Sequence, residues 1–142
     1  LLTGMNGVVI SGDLFNLYVF LEIASVAAYV LVAFSTEAES LESSFRYAVI
    51  GSLASILILL GIGLLYSYTG SLNMDDIGRF LFSKPRGLLI GFVSVLFIAG
   101  FGVKAAVMPF HAWLADAHSS APAPVSAVLS GVFIKTLGSM PW

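Results

Sequence analysis

The chain has 142 residues, is 58% hydrophobic and 10% charged, and has a mean hydropathy of +1.00. A water-soluble domain of this size carries about a quarter charged residues, so the composition excludes an ordinary soluble fold and indicates the membrane class. A net charge of −2 gives no grip on nucleic acid or on a polybasic lipid contact, and the absence of cysteine excludes disulfides, thiol chemistry and cysteine-held iron–sulfur in this chain.

The chain opens at Leu1 inside what reads as the tail of an apolar helix and stops at Trp142 in mid-pattern. No cleavage site or lipidation motif is visible, and the expectation is part of a longer chain. Residues 1–12 read as that helix tail followed by a glycine-rich turn, because Gly4, Gly7 and Gly12 interrupt a regular pattern. Asp13 stands where an N-cap would be.

Leu14 to Phe34 is an apolar run of about the length that crosses a bilayer. One charge, Glu22, breaks it. Tyr18, Glu22, Ser25 and Tyr29 recur at i, i+4, i+7 and i+11 and so share one stripe of a helix. That stripe must face protein or water, while the other faces suit lipid. A short acidic loop follows at 35–43, read as solvated.

A second membrane helix is expected from about Ser44 to Tyr66. Arg46 near its start can snorkel to the interface. Ser44, Ala48, Ser52 and Ser55 put small residues along one face, the pattern of close packing between membrane helices. It reads as packing, without chemistry. The connection 67–87 contains a stretch, Met74 to Phe82, that suits a short amphipathic helix at the interface. Its Arg79, Lys84 and Arg86 favour the cytoplasmic side by the positive-inside rule.

A third apolar helix is expected from Leu88 to Met108, with Lys104 late in it and Gly100 one turn earlier leaving room for the lysine. Leu88 to His118 would be roughly 46 Å of continuous helix, longer than a ~30 Å hydrocarbon core. Pro109 can neither donate to the helix nor fit its preceding turn. The helix is therefore expected to break near Pro109, with a half-helix from about Phe110 to Ala117. Pro122 and Pro124 then set the start of a fourth helix, on which Ala127, Gly131 and Lys135 share a face.

Glu22, Lys104 and Lys135 thus lie inside membrane helices. Insertion scales charge about 2.5–3.5 kcal/mol for one charge at mid-helix, or roughly 8–10 kcal/mol for three left unpaired. Such groups pair or line a hydrated path. A Lys–Glu pair of variable separation is a switchable proton site, and a fixed one is a packing device; on the residues alone both readings stay open. His111 and His118 with Asp116 have the wrong spacing for two metal ligands on one helical face, so no metal is expected. His111 reads as structural, and His118 is open between a structural and a relay role. Trp113 and Phe110 read as packing or interface anchors. There is no phosphate loop, dinucleotide fingerprint or nucleophile with a nearby base, and no cofactor is expected.

The segment VKAAVMPFHAWLADAHSSAPAPVSAVLSGVFIKTLG resembles the signature of the antiporter-like, proton-conducting membrane subunits of respiratory complex I, multisubunit Na+/H+ antiporters and membrane-bound hydrogenases. SGDLFNLYVFLEIASVAAYVL and SYTGSLNMDDI are similar to the antiporter and hydrogenase branches. The resemblance covers nearly the whole chain. It implies that Glu22 is the family's buried glutamate, which modulates the pKa of a lysine on the broken helix. Lys104 would be that lysine and Lys135 the one that hands protons onward along the membrane plane. His111 and His118 lie in the segment around the break. Ala115 stands where the family often has proline, which implies a straighter half-helix.

The resemblance also implies two inverted repeats of about fourteen helices in total, of which residues 1–142 would be one module spanning roughly one repeat. The fold expected is all-α and multi-pass, with four membrane helices and the end of a preceding one, in a prokaryotic cell membrane. The function expected is a proton-translocating subunit of a complex I-like or hydrogenase-like complex. Partners would be lipid, other membrane subunits, and redox subunits carrying iron–sulfur or flavin, with H+ or Na+ as the ions moved. The alternatives are a secondary Na+/H+ antiporter subunit and a non-conducting structural subunit.

Overall fold

The structure, a computed structural model, describes residues 1–35, 38–84, 87–109, 111, 114, 115, 118, 119 and 121–133. The elements are helices α1 (Leu2–Ile10), α2 (Leu14–Val32), α3 (Ala38–Thr69), α4 (Met74–Ser83), α5 (Leu88–Lys104) and α6 (Ala123–Val128). A 3₁₀ turn (Ala33–Ser35) follows α2 and a π-helical turn (Leu129–Phe133) follows α6. Among the described residues there is no strand.

Two of the helix starts are capped by side chains. The Asp13 carboxylate accepts from the amides of Phe15 (2.8 Å) and Asn16 (3.1 Å), satisfying two of the donors a helix N-terminus leaves over. Asn73 does the same for α4 through the amide of Asp75 (2.9 Å). These two caps lie side by side: Leu14 N–H donates to the Leu72 carbonyl and Met74 N–H to the Gly12 carbonyl, both at 3.0 Å. The amphipathic α4 is thereby pinned to the foot of α2, with Ile77 buried against Leu65 and Val93.

Residues 1–12 form a helix tail and a turn at residues 11 and 12, but not with the expected glycine breaks. Gly4 and Gly7 lie within α1 rather than breaking it, because they are the points where it touches α2. A Cβ on Gly4 would sit 2.7 Å from the Ala24 nitrogen, and one on Gly7 2.2 Å from the Phe20 ring. The glycines serve close approach, as in membrane helix packing.

Among the described residues, two helical stretches are long and apolar enough to cross a membrane, Leu14–Val32 and Leu41–Thr69. Of the four spans expected, the other two rest on α5, apolar but only 17 residues long, and on the fourth helix, described over 123–133. α3 begins earlier than expected, at Ala38. The core lies where α1, α2, α3 and α5 meet, around Leu21, Ala28, Val32 and Ile58, all without exposed surface.

The end of α5 differs from the expected Met108. It stops at Lys104, where the Val107 amide donates to the Gly102 carbonyl (2.9 Å) and the Ala106 amide to that of Val103 (3.2 Å). Ala106 between them is left-handed, with φ of 53°. This is a Schellman closure with alanine in the place that glycine usually takes. The helix has therefore ended five residues before Pro109. Of the expected half-helix, only His111, Leu114 and Ala115 are described. Gly100 also serves a different purpose from the one expected. A Cβ there would meet Ile58 Cγ1 at 2.5 Å and the Ala54 carbonyl at 3.0 Å, so the glycine lets α5 approach α3.

Candidate functional site

Glu22 is the ninth of the nineteen residues of α2, and Ser55 is the middle residue of the apolar span Leu41–Thr69. Both are at mid-depth of their helices. Lys104, at the last position of α5, is where a cation is favoured by the helix dipole. Its long side chain leans back toward the preceding turn and reaches the same level.

The three helices converge on one hydrogen-bonded cluster. Lys104 Nζ donates to Glu22 Oε1 at 3.0 Å and to Ser25 Oγ at 2.8 Å. Ser25 Oγ donates in turn to the Leu21 carbonyl at 2.8 Å. From α3, the Ser55 hydroxyl lies against Glu22 Oε1 and also 2.9 Å from the Gly51 carbonyl. The lysine side chain is 3% exposed and the glutamate 31%, so the ammonium is enclosed while the carboxylate reaches the edge of the cluster. Among the described residues no buried side-chain polar atom lacks a partner.

Two turns further along α2, Tyr29 extends the polar stripe. Its ring packs edge-on against Tyr47 at a centroid distance of 4.6 Å, and Ser44 Oγ donates to its carbonyl at 2.7 Å. Gly51 makes room for it, since a Cβ there would lie 2.0 Å from the Tyr29 hydroxyl oxygen.

Among the described residues, His118, His111 and Pro109 contribute no hydrogen bond to this cluster. His118 Nδ1 is 2.5 Å from Ser126 Oγ, tying the segment before α6 to that helix. His111 is exposed, and its carbonyl accepts from the Leu114 amide at 3.0 Å. Pro109 is in the turn beyond α5. Lys135 lies outside the described residues, as do Phe110, Trp113 and Asp116. The reading of the second membrane helix as packing alone needs correction: Ser55 contributes a hydroxyl to Glu22. Ser55 is spelled like its neighbours Ser44 and Ser52. Only its place on the most buried edge of the small-residue face could have singled it out.

Among the described residues the fold is all-helical, with a Lys–Glu pair joining its apolar helices at mid-length of α2. Residues 11–140 match the family described as NADH:quinone oxidoreductase/Mrp antiporter, transmembrane, and the chain belongs to that family. It is 46% identical over 132 residues to NADH-quinone oxidoreductase subunit N of Desulforudis audaxviator, covering 93% of this chain and 26% of that protein. It is 35% identical over 135 residues to the D subunit of the Na+/H+ antiporter of Alkalihalophilus pseudofirmus, covering 95% and 27%. The chain thus spans about a quarter of the length of these relatives.

Three solved complexes contain a similar fold. A chain of an archaeal membrane-bound sulfane sulfur reductase superposes with a TM-score of 0.88 at 35% identity, covering 94% of this chain and 27% of that one. A chain of the Mrp complex from Dietzia gives 0.82 at 31% identity, covering 94% and 25%. One from respiratory complex I of Thermus thermophilus gives 0.79 at 30% identity, covering 94% and 29%.

Proposed function

We propose that the chain is the proton-handling part of an antiporter-like subunit in a redox-driven membrane complex. The observation that carries this reading is the Lys104–Glu22 ion pair held at mid-depth between α2, α3 and α5. A membrane interior tolerates such charges only where they pair or serve a hydrated path, and a Lys–Glu pair that can separate is a proton site. Glu22 and Lys104 load and release the proton, and Lys135 passes it along the membrane plane, with His118 beside that route. In this reading the chain breaks near Pro109, between α5 and a short half-helix, and residues 1–142 form a single module, one repeat of an inverted-repeat transporter in a prokaryotic cell membrane. Iron–sulfur or flavin is carried by partner subunits.

A second reading, a subunit of a secondary Na+/H+ antiporter, is favoured by the 35% identity to the antiporter relative from Alkalihalophilus pseudofirmus. One preparation tests both. The native complex is purified, its visible spectrum recorded, and proton uptake into vesicles followed with a pH-sensitive dye. Lys104→Ala should abolish uptake while the complex stays assembled. Unchanged uptake in that variant sinks the conduction reading. Iron–sulfur or flavin absorbance accompanying the chain supports the redox-driven complex. A colourless complex that moves protons under an imposed sodium gradient supports the antiporter.

A further inference from the structure

We propose that Ser55 is a positioning residue for Glu22, holding the carboxyl in both protonation states by turning one hydroxyl proton between two acceptors. The inference rests on the proposed function, in which the Lys104–Glu22 pair exchanges protons.

A serine hydroxyl has one proton to give and lone pairs to receive. Two acceptors lie within its reach at Ser55, the Gly51 carbonyl at 2.9 Å and Glu22 Oε1. When Glu22 is ionised, the hydroxyl gives its proton to the carboxylate, since the bond to an ionised acceptor is the stronger one. When Glu22 is protonated, the carboxyl O–H turns to Ser55 Oγ. The serine proton then swings to the Gly51 carbonyl, the ordinary back-bond of a helical serine. Only hydrogens move, and the carboxyl is partnered in either state.

Ser25 cannot play this part. Its proton is given to the Leu21 carbonyl at 2.8 Å, so it faces Lys104 as an acceptor. Lysine has N–H donors whether charged or neutral, so this contact persists while the ion pair opens. The two serines are therefore complementary: Ser25 anchors the lysine, and Ser55 adapts to the glutamate. Among the described residues, the charged and titratable groups facing Glu22 are Lys104 from α5 and, on its own helix, Tyr18 and Tyr29. α1 has no ionisable side chain, and α3 presents Ser55.

Ser52 supplies the control. One turn earlier on α3, it is exposed and donates to the Ala48 carbonyl at 2.7 Å, which is the same back-bond without a carboxyl beside it. Ser55→Ala, Ser55→Thr and Ser52→Ala are compared in the assembled complex, with proton uptake measured across pH. Losing a hydrogen bond to an ionised group predicts that Ser55→Ala slows uptake about tenfold or more and changes the shape of the pH profile. Ser55→Thr keeps the hydroxyl and should keep the shape; Ser52→Ala should match the unmodified protein. A Ser55→Ala profile superimposable on the original overturns the inference. So does one lowered by a single factor at every pH, or a threonine variant that loses the shape as alanine does. Glu22→Gln, run alongside, separates the two levels. If it transports normally, the underlying reading fails. If it is inactive while Ser55→Ala is normal, only the role of Ser55 fails.

Discussion

The ion pair is asymmetric, with an enclosed lysine facing a carboxylate about a third exposed, and the asymmetry ranks its variants. Glu22→Gln leaves a buried ammonium without its countercharge, facing only neutral acceptors, the amide oxygen and Ser25, whereas Lys104→Met leaves a carboxylate at the edge of the cluster. The first should therefore destabilise more. Breaking a fully buried pair costs about 3–5 kcal/mol, and the exposure of Glu22 reduces that to about 1–3 kcal/mol for this pair. The double variant should be more stable than Glu22→Gln alone, which thermal unfolding of the purified complex would detect. Strict additivity of the two single effects would show that the pair is not coupled. Glu22 and Ser25 were legible in the sequence because one charge in an apolar run orients a whole helical stripe. Ser55 was not, because the three serines of the small-residue face of α3 look alike and do three things. Ser44 holds the Tyr29 carbonyl, Ser52 bonds back to its own helix, and Ser55 reaches Glu22.

At the scale of elements, the site depends on how closely α5 lies against α3. Gly100 sets that spacing, because the wall it touches includes the Ala54 carbonyl as well as the Ile58 side chain. Gly100→Ala should push α5 away and lift Lys104 from Glu22, with a stability loss of about 1–3 kcal/mol typical of overpacking. Ile58→Ala in the same chain removes the nearer obstacle and should recover part of the loss, whereas Ile58→Ala alone should destabilise. If the double variant is worse than either single one, the contact is not what limits the approach. Glycines in apolar helices are easy to see in a sequence, but their partners are not. Gly100 reads equally well as space for Lys104 or for Ile58, and Gly4 and Gly7 as a break or as a contact with α2. The end of α5 was hidden for a different reason: proline marks breaks openly, while an alanine closing a Schellman turn has no signature in sequence.

Across the whole molecule, the reciprocal bonds between residues 12–14 and 72–74 fix the sidedness. They place the start of α2 beside the start of α4, which follows the end of α3, so α2 and α3 form one out-and-back pair. Nineteen helical residues in α2 span about 28 Å, close to a ~30 Å hydrocarbon core. The first residues of α3, with Glu39, Glu42 and Arg46, then lie beyond the opposite face from α4. Arg79 and Lys84 are on the α4 side, and Arg86 follows two residues on in the sequence; by the positive-inside rule that side is expected to be cytoplasmic. Residues 1–142 contain no cysteine, so single introduced thiols report without background from this stretch. Glu42→Cys gives up only an exposed pair with Arg46, which contributes little stability, and Asp75→Cys sits at the exposed start of α4. A membrane-impermeant maleimide should label residue 75 from the cytoplasmic face and residue 42 from the other. Exchange of the two faces would reverse the orientation and keep the hairpin. Labelling of both from one face would mean that α2 and α3 do not cross the membrane as a pair, and the mid-depth position of Glu22 and Lys104 would fall with that result.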